Sequence, residues 1–254
     1  MMQQIIIRLH LHLEGQVVSM AKKIVLVIVE GQSDDTALGL LLDEFFDPQT
    51  VKVHVVRGDI TTDVGVNDII ARVNTEINKY CERDHILRDS IQEVIHLSDT
   101  DGTYVTAKYV LDDPSAKDPI YSETAIYTAN KRGIETRNRK KGANMERLAG
   151  IKKIGNTPYR IFYMSCNLDH VLYNKLNCTD EEKEDNAFDF LERFNGKLDE
   201  FIEYISVSPF AVMTGYRESW KYIRQGLHSL ERHTNFGLCF TEETSKAITT
   251  ENDA

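Results

Sequence analysis

The sequence predicts an α/β fold, with a mostly parallel sheet flanked by helices and a helical region at the C-terminal end. Three observations predict it. Residues 23–30, KIVLVIVE, form an unbroken apolar, β-branched run ended by an acid, the pattern of a strand buried on both faces of a parallel sheet. Strand-like and helix-like segments then alternate as far as residue 98. Beyond residue 180 apolar residues recur at intervals of three and four, as they do on helices.

Ser33 can cap a helix after the first strand, with Asp34 and Asp35 in its first turn and Leu38, Leu41, Leu42 and Phe45 at helical spacing, ended by Pro48. A second strand, VKVHVV at 51–56, precedes a helix at about 67–83 that carries Ile69, Ile70, Val73 and Ile77 on its apolar side. The third strand, IQEVIHLS at 91–98, runs directly into Asp99-Thr100-Asp101-Gly102, and RIFYMS at 160–165 makes a further strand leading to a helix in NLDHVLYNKL. Between these two strands, residues 103–158 are too many for a simple connection, which marks an insertion or a functional loop. Phe190 to Ile205, and then Trp220, Ile223, Leu227 and Leu230, extend the helical pattern. The resulting division is an α/β core over 20–178 with a basic insertion at about 103–158, a helical region over 179–240 and a polar tail over 241–254.

Composition narrows the class of protein. A chain of 254 residues, 41% hydrophobic and 28% charged with a formal net charge of −10, is that of an ordinary globular protein. Its four cysteines form no C-x-x-C pair, which argues against a disulfide framework or a zinc ribbon and for buried free thiols. No run of about 18 apolar residues suggests a membrane span, so a cytoplasmic location is expected. The first residues, MMQQIIIRLHLHLEGQVVSM, make a poor signal peptide. Residues 1–19 read as an extension ahead of Met20, or IIIRLHLHL as an edge strand, with His10 and His12 as strand residues rather than metal ligands.

Ligands of open parallel sheets collect beyond the carboxyl ends of the strands, and Glu30, Asp99 and Asp101 all fall at such ends. Asp99 and Asp101 are two apart on an extended segment, so both side chains can face one way with α-carbons about 7 Å apart. Clustered carboxylates repel one another, and a hard divalent cation, Mg2+ or Mn2+, keeps them ionised. Glu30 then serves as a ligand or as a general acid or base, and Asp34 as either a ligand or a helix-start acid. Turn chemistry alone also accounts for Asp-x-Asp-Gly and for Glu-Gly after a strand.

VEGQSD at 29–34 and SDTDG at 98–102 together resemble the Toprim domain, the module shared by topoisomerases, bacterial primases, recombination mediators and overcoming-lysogenization-defect nucleases. The resemblance covers about 23–103. It implies a Rossmann-like core, a glutamate acid or base at Glu30 and a magnesium-holding pair at Asp99 and Asp101. FYMSCNLDHVLYNKL at 162–176 is similar to a strand-to-helix junction of stand-alone, RloB-like Toprim proteins of bacterial defence, but has Cys166-Asn167-Leu168-Asp169 where those carry Ser-Asn-Pro-x-Phe-Glu. His170 reads as a helix-start histidine.

Two functions follow as expectations. In the first, a metal-dependent nuclease or phosphodiesterase uses the basic segment 131–153 to track a nucleic acid, through Lys131, Arg132, Arg137, Arg139, Lys140 and Lys141. That segment carries +7 in a chain of −10, so the remainder carries −17. It is expected to be exposed and poorly packed, because nine Lys and Arg side chains need partners that the local sequence lacks. In the second, a non-catalytic scaffold binds a nucleotide, a nucleic acid or a protein partner. No P-loop is present, so an ATPase partner would be a separate chain.

Overall fold

The computed structural model describes residues 23–46, 50–56 and 58–241. Strands β1 (Ile24–Val29), β2 (Val51–Val55), β3 (Ile91–Asp99) and β8 (Thr157–Met164) lie parallel in the order β2-β1-β3-β8, and the short β7 (Lys153–Ile154) closes the β8 edge as a hairpin. Pairing places Ile28 beside His54 and His96, and Asp99 beside Met164, so the four parallel strands end on one edge.

Alternation within the strands explains the unbroken apolar runs. Val25, Val27, Val29, Ile95, Leu97, Phe162 and Met164 face α1 (Gln32–Phe46), α4 (Leu168–Tyr173), α5 (Asp180–Phe194) and α6 (Leu198–Val207). Leu26, Ile28, Val94, Tyr159, Ile161 and Tyr163 face α2 (Ile69–Arg83), α3 (Lys131–Ala149) and α7 (Tyr216–Tyr222). Both faces of the sheet are covered, so the central strands are mainly apolar on both faces, and a polar side chain buried there is paired, as His96 is with the Tyr159 hydroxyl. The C-terminal helices share these two cores with the sheet. Their order is reinforced by a capping box in which Thr179 and Glu182 each accept from the other's backbone N–H.

Four local expectations are corrected. Ser33 lies inside α1, which begins at Gln32, and does not cap it. Residues 103–158, read as an insertion or a functional loop, are not a loop: they hold a small sheet of β4 (Val110–Asp112), β6 (Ile126–Thr128) and β5 (Ile120–Tyr121), then α3 and β7. Leu227 and Leu230 lie beyond the end of α7 in successive turns, where Leu230 is buried against Val105, Val110 and Ile126. The basic segment is the amphipathic helix α3, with Ile134, Asn138, Lys141, Asn144, Met145 and Leu148 buried. The expected strand at 5–13, with His10 and His12, and most of the polar tail lie outside the described residues.

The turn after β3 is set by one glycine. Gly102 has φ +64, and a β-carbon there would come within 2.5 Å of Leu230 Cδ2 and 3.0 Å of Ile126 Cδ1. Both neighbours are fully buried and cannot swing into solvent. Gly102→Ala should therefore destabilise the protein by more than about 1 kcal/mol, combining left-handed strain with overpacking. Denaturant unfolding reads this as a lower midpoint, and an unchanged midpoint would show that the turn relaxes freely.

Candidate metal centre

The carboxyl edge of the sheet collects acids from three strand ends. Glu30 follows β1, Asp59 lies in the loop after β2, and Asp99 closes β3 with Asp101 in the next turn. Glu30 Oε1 accepts from Ser98 Oγ at 3.0 Å and from the Asp99 backbone N–H at 3.3 Å, which fixes Glu30 against the end of the neighbouring strand. Asp34 Oδ2 accepts from the Gly31 N–H at 3.0 Å, so this acid closes the turn into α1 while lying near the others.

The turn 99–102 is held from behind. The Thr100 N–H donates to Met164 O at 2.9 Å and the Asp101 N–H to Cys166 O at 2.8 Å. Thr100 Oγ1 accepts from the Cys166 N–H and donates to Ser229 O, both at 2.8 Å. Asp101 itself sits at φ 48, a left-handed conformation that non-glycine residues rarely adopt. With β8 and the 229–235 segment locked to it, this backbone cannot relax without breaking several buried hydrogen bonds.

Lys141 of α3 reaches into this edge and is fully buried. Its Nζ donates to Asp101 Oδ2 at 2.5 Å and to Asp59 Oδ2 at 2.7 Å. Burial alone would lower the lysine pKa, but Asp101, then Glu30 and Asp59, hold it well above its ordinary value, so the ammonium is charged. Asp59 is likewise opposed by burial, yet Lys141 and the donors of Thr61 and Thr62 bring it down to about 2. The same helix places Arg137 Nη2 on Asp101 O at 2.7 Å and Arg137 Nη1 on the Tyr121 hydroxyl at 2.6 Å. Asn144 Nδ2 donates to Thr61 O and Val64 O, tying α3 to the Asp59 loop.

One ammonium does not balance Glu30, Asp34, Asp59, Asp99 and Asp101. Burial pushes Glu30 up to about 8 against the pull of Lys141, with Asp59 and Asp101 adding to the rise. Asp99 is raised well above the usual carboxylate range by burial and then by Glu30, Asp34 and Asp101. Asp34 is raised to about 6 by burial, with the like charge of Asp169 adding to the rise against the Gly31 N–H hydrogen bond. Without a cation this edge takes up protons instead.

Of the expected ligands, Glu30 meets the Asp99 backbone N–H, Asp101 follows in the same turn with its carboxylate on Lys141, and Asp34 closes the turn after Glu30. All offer oxygen, the donor type a hard divalent cation selects. No hydrogen-bond donor among the described residues reaches the Asp99 carboxylate, which lines a polar cleft of about 530 Å³ together with Asp101, Tyr121, Asn167 and Lys183. Among the described residues no group of three or more His, Cys, Asp or Glu side chains is set to enclose an ion. Mg2+ is commonly held by only one or two carboxylates, with waters and substrate phosphates completing its shell. The donor set therefore fits such a cation as an open site rather than as a closed cage.

The basic helix divides into two faces. Arg132, Arg139 and Lys140 are exposed and Lys131 is half-buried, whereas Arg137 and Lys141 face inward, against the expectation that all six would be available to a ligand. Their partners are distant in sequence, at Asp59, Asp101 and Tyr121. Asp59 was missed in the sequence although it lies just past a strand end, the same placement that singles out Glu30 and Asp99. Comparison of the chain with known protein families, with characterised proteins and with solved structures finds no match.

The raised carboxyls give a pH signature with a defined sign. Glu30 binds its proton more tightly in the folded state, about 8 against an ordinary 4.5. Its stabilising contribution is complete below 4.5 and is lost as pH rises through 8, and Asp99 acts in the same direction. In a chelator, the melting temperature should fall between about pH 5 and 8, and Glu30→Gln, neutral throughout, should flatten that fall. Thermal melting of both proteins across this range checks it, and parallel curves would remove Glu30 as the titrating group.

Proposed function

We propose that the protein is a Toprim-like, Mg2+- or Mn2+-dependent phosphoryl-transfer enzyme that cleaves or otherwise processes a nucleic acid. The observation that carries this reading is the meeting of Glu30 and Asp99 at the carboxyl edge of a parallel sheet, beside a polar cleft. Asp99, whose carboxylate no donor among the described residues reaches, is the first ligand, and Glu30 or Asp101 the second. When bound, the cation neutralises phosphate oxygens and lowers the pKa of a coordinated water.

Glu30 suits proton exchange because its pKa of about 8 lies near neutrality, where a carboxyl can both give and take a proton. Lys141 holds Asp101 in place and lowers the cost of crowding acids at the strand ends. The exposed Arg132, Arg139 and Lys140 are placed to meet backbone phosphates, which need local rather than net positive charge.

One observation favours a non-catalytic scaffold as a second reading. Asp101 Oδ2 is already engaged by Lys141, which Asp59 also holds, so the edge is partly neutralised without a metal. Chemistry separates the two readings, because an enzyme needs its first ligand and a scaffold does not.

Asp99→Asn keeps the side-chain shape but removes a formal charge and an oxygen ligand. It should abolish Mg2+- or Mn2+-dependent cleavage of nucleic acid while leaving the melting temperature in chelator equal to or above that of wild type, since a strained carboxylate is lost. Calorimetry of Mn2+ binding should show weakened affinity in the same variant. Equal cleavage by wild type and variant would sink the enzyme reading in favour of the scaffold. A separate outcome concerns α3: neutralising Arg132, Arg139 and Lys140 should flatten the salt dependence of nucleic-acid binding by up to about three units of slope. Lys141 is left out of that set because it is committed to Asp59 and Asp101, and an unchanged slope would show that the helix face is merely solvated.

A further inference from the structure

A cavity of about 810 Å³ lies away from the acids. It lies toward the amino-terminal side of the sheet, between the end of α3, the start of β8 and helix α7, and includes Glu93 of β3. Glu93 and Asp99 share one strand and are six residues apart, about 20 Å in extended chain. The cavity is therefore a separate site.

Its walls are aromatic and its rim is basic. Tyr159, Tyr216 and Trp220 line it, and the tyrosine hydroxyls are engaged within the protein, Tyr159 with His96 Nδ1 at 2.7 Å and Tyr216 with Ile161 O at 2.9 Å. What Tyr216 offers the cavity is ring surface, whereas Tyr159 and Trp220, nearly fully buried, form its floor. Four cations also line it, Lys152, Arg160, Arg217 and Arg224, against two acids. Both acids are paired: Glu93 with Arg160 at 2.5 Å and Glu146 with Arg224 at 3.3 Å. Lys152 and Arg217 remain, exposed and with no carboxylate partner among the described residues.

An apolar ligand would make no use of those two solvated charges, and a purely inorganic anion would make none of the aromatic walls. The cavity has the size and the mixture of apolar wall and few placed charges that small-molecule sites show. We propose that it binds a small aromatic anion of the nucleotide class, with the base against Tyr216 and Trp220 and the phosphate between Lys152 and Arg217. The proposal does not rest on the acidic cleft being catalytic. It does place a ligand on α3 about 12 Å along the helix from Lys141, counting from Ala149 on the cavity wall.

Trp220 is the only tryptophan in the chain, so its fluorescence reports on this cavity alone. Adenosine 5′-monophosphate, titrated into the full chain in a chelator to silence any metal-bound phosphate, should quench Trp220 saturably with Kd below about 1 mM. The double variant Lys152→Glu/Arg217→Glu, at two exposed positions, should weaken that binding by roughly tenfold or more. A thermal melt of the variant confirms that it is folded. Asp99→Asn should bind adenosine monophosphate as wild type does, which separates this site from the cleft. No saturable quenching, equal affinity in the charge-reversed variant, or a loss of binding in Asp99→Asn would each overturn the proposal. So would saturable binding of 1-anilinonaphthalene-8-sulfonate with adenosine monophosphate silent, since the ligand class would then be wrong.

Discussion

A buried lysine ammonium held between two carboxylates organises the carboxyl edge of this protein. Lys141 has no exposed surface, and its charge is tolerable there only because Asp59 and Asp101 both contact it. Removing an ion from water costs several kcal/mol, which the attraction of well-placed counter-charges in a low-dielectric site must return. That requirement propagates outward. Asp59 must be held by Thr61 and Thr62, the loop of 59–64 must be held by Asn144, and Asp101 must keep a left-handed backbone so that its carboxylate meets the ammonium. One helix thus fixes the relative positions of loops that follow two different strands.

The C-terminal region completes this arrangement instead of standing apart from it. Its residue Ser229 accepts twice from this neighbourhood, through its backbone carbonyl from the Thr100 hydroxyl at 2.8 Å and through its Oγ from the Tyr104 N–H at 3.3 Å. Leu230 fills the space that Gly102 leaves open, and His233 exchanges hydrogen bonds with Ser165 at the end of β8. The turn carrying Asp99 and Asp101 is therefore gripped by β8 on one side and by residues more than a hundred positions later on the other. A turn of Asp-x-Asp-Gly in isolation would sample many conformations, and this packing selects one.

How far the sequence discloses this depends on the range of each interaction. The sheet was legible because a strand buried on both faces reads as a near-continuous apolar run, which KIVLVIVE is, and because IQEVIHLS, though it carries Gln92, Glu93, His96 and Ser98, keeps Ile91, Val94, Ile95 and Leu97 as its apolar frame. Glu30 and Asp99 were legible as polar residues at strand ends. The inward face of α3 was not, because helix periodicity there is carried by Asn138, Lys141 and Asn144 as well as by Ile134, Met145 and Leu148. Polar residues on a core face read as solvent-exposed unless their partners are known, and these partners lie about 35 to 83 positions away in the chain. Leu230 misled in the opposite sense: apolar spacing continuous with α7 suggested more helix, whereas the residue is held by a contact with the turn after β3.

Charge compensation at the acidic edge has three available forms, and they differ in what they permit. A fixed ammonium is permanent but can reach only some of the acids, which is why Lys141 lowers Asp59 to about 2 while Glu30 still rises to about 8. Protons reach any acid but remove its capacity to ligate, and they are the form the raised values of Glu30, Asp99 and Asp34 express. A divalent cation compensates several carboxylates at once and leaves them ionised, but competes with those protons, so its binding must release them and must strengthen with pH up to the range of Glu30. Lys141 is thus better understood as setting how much negative charge remains than as a substitute for metal. It quiets Asp59 and steadies Asp101, and leaves Glu30 and Asp99 as the pair whose charge is still to be balanced at the mouth of the cleft.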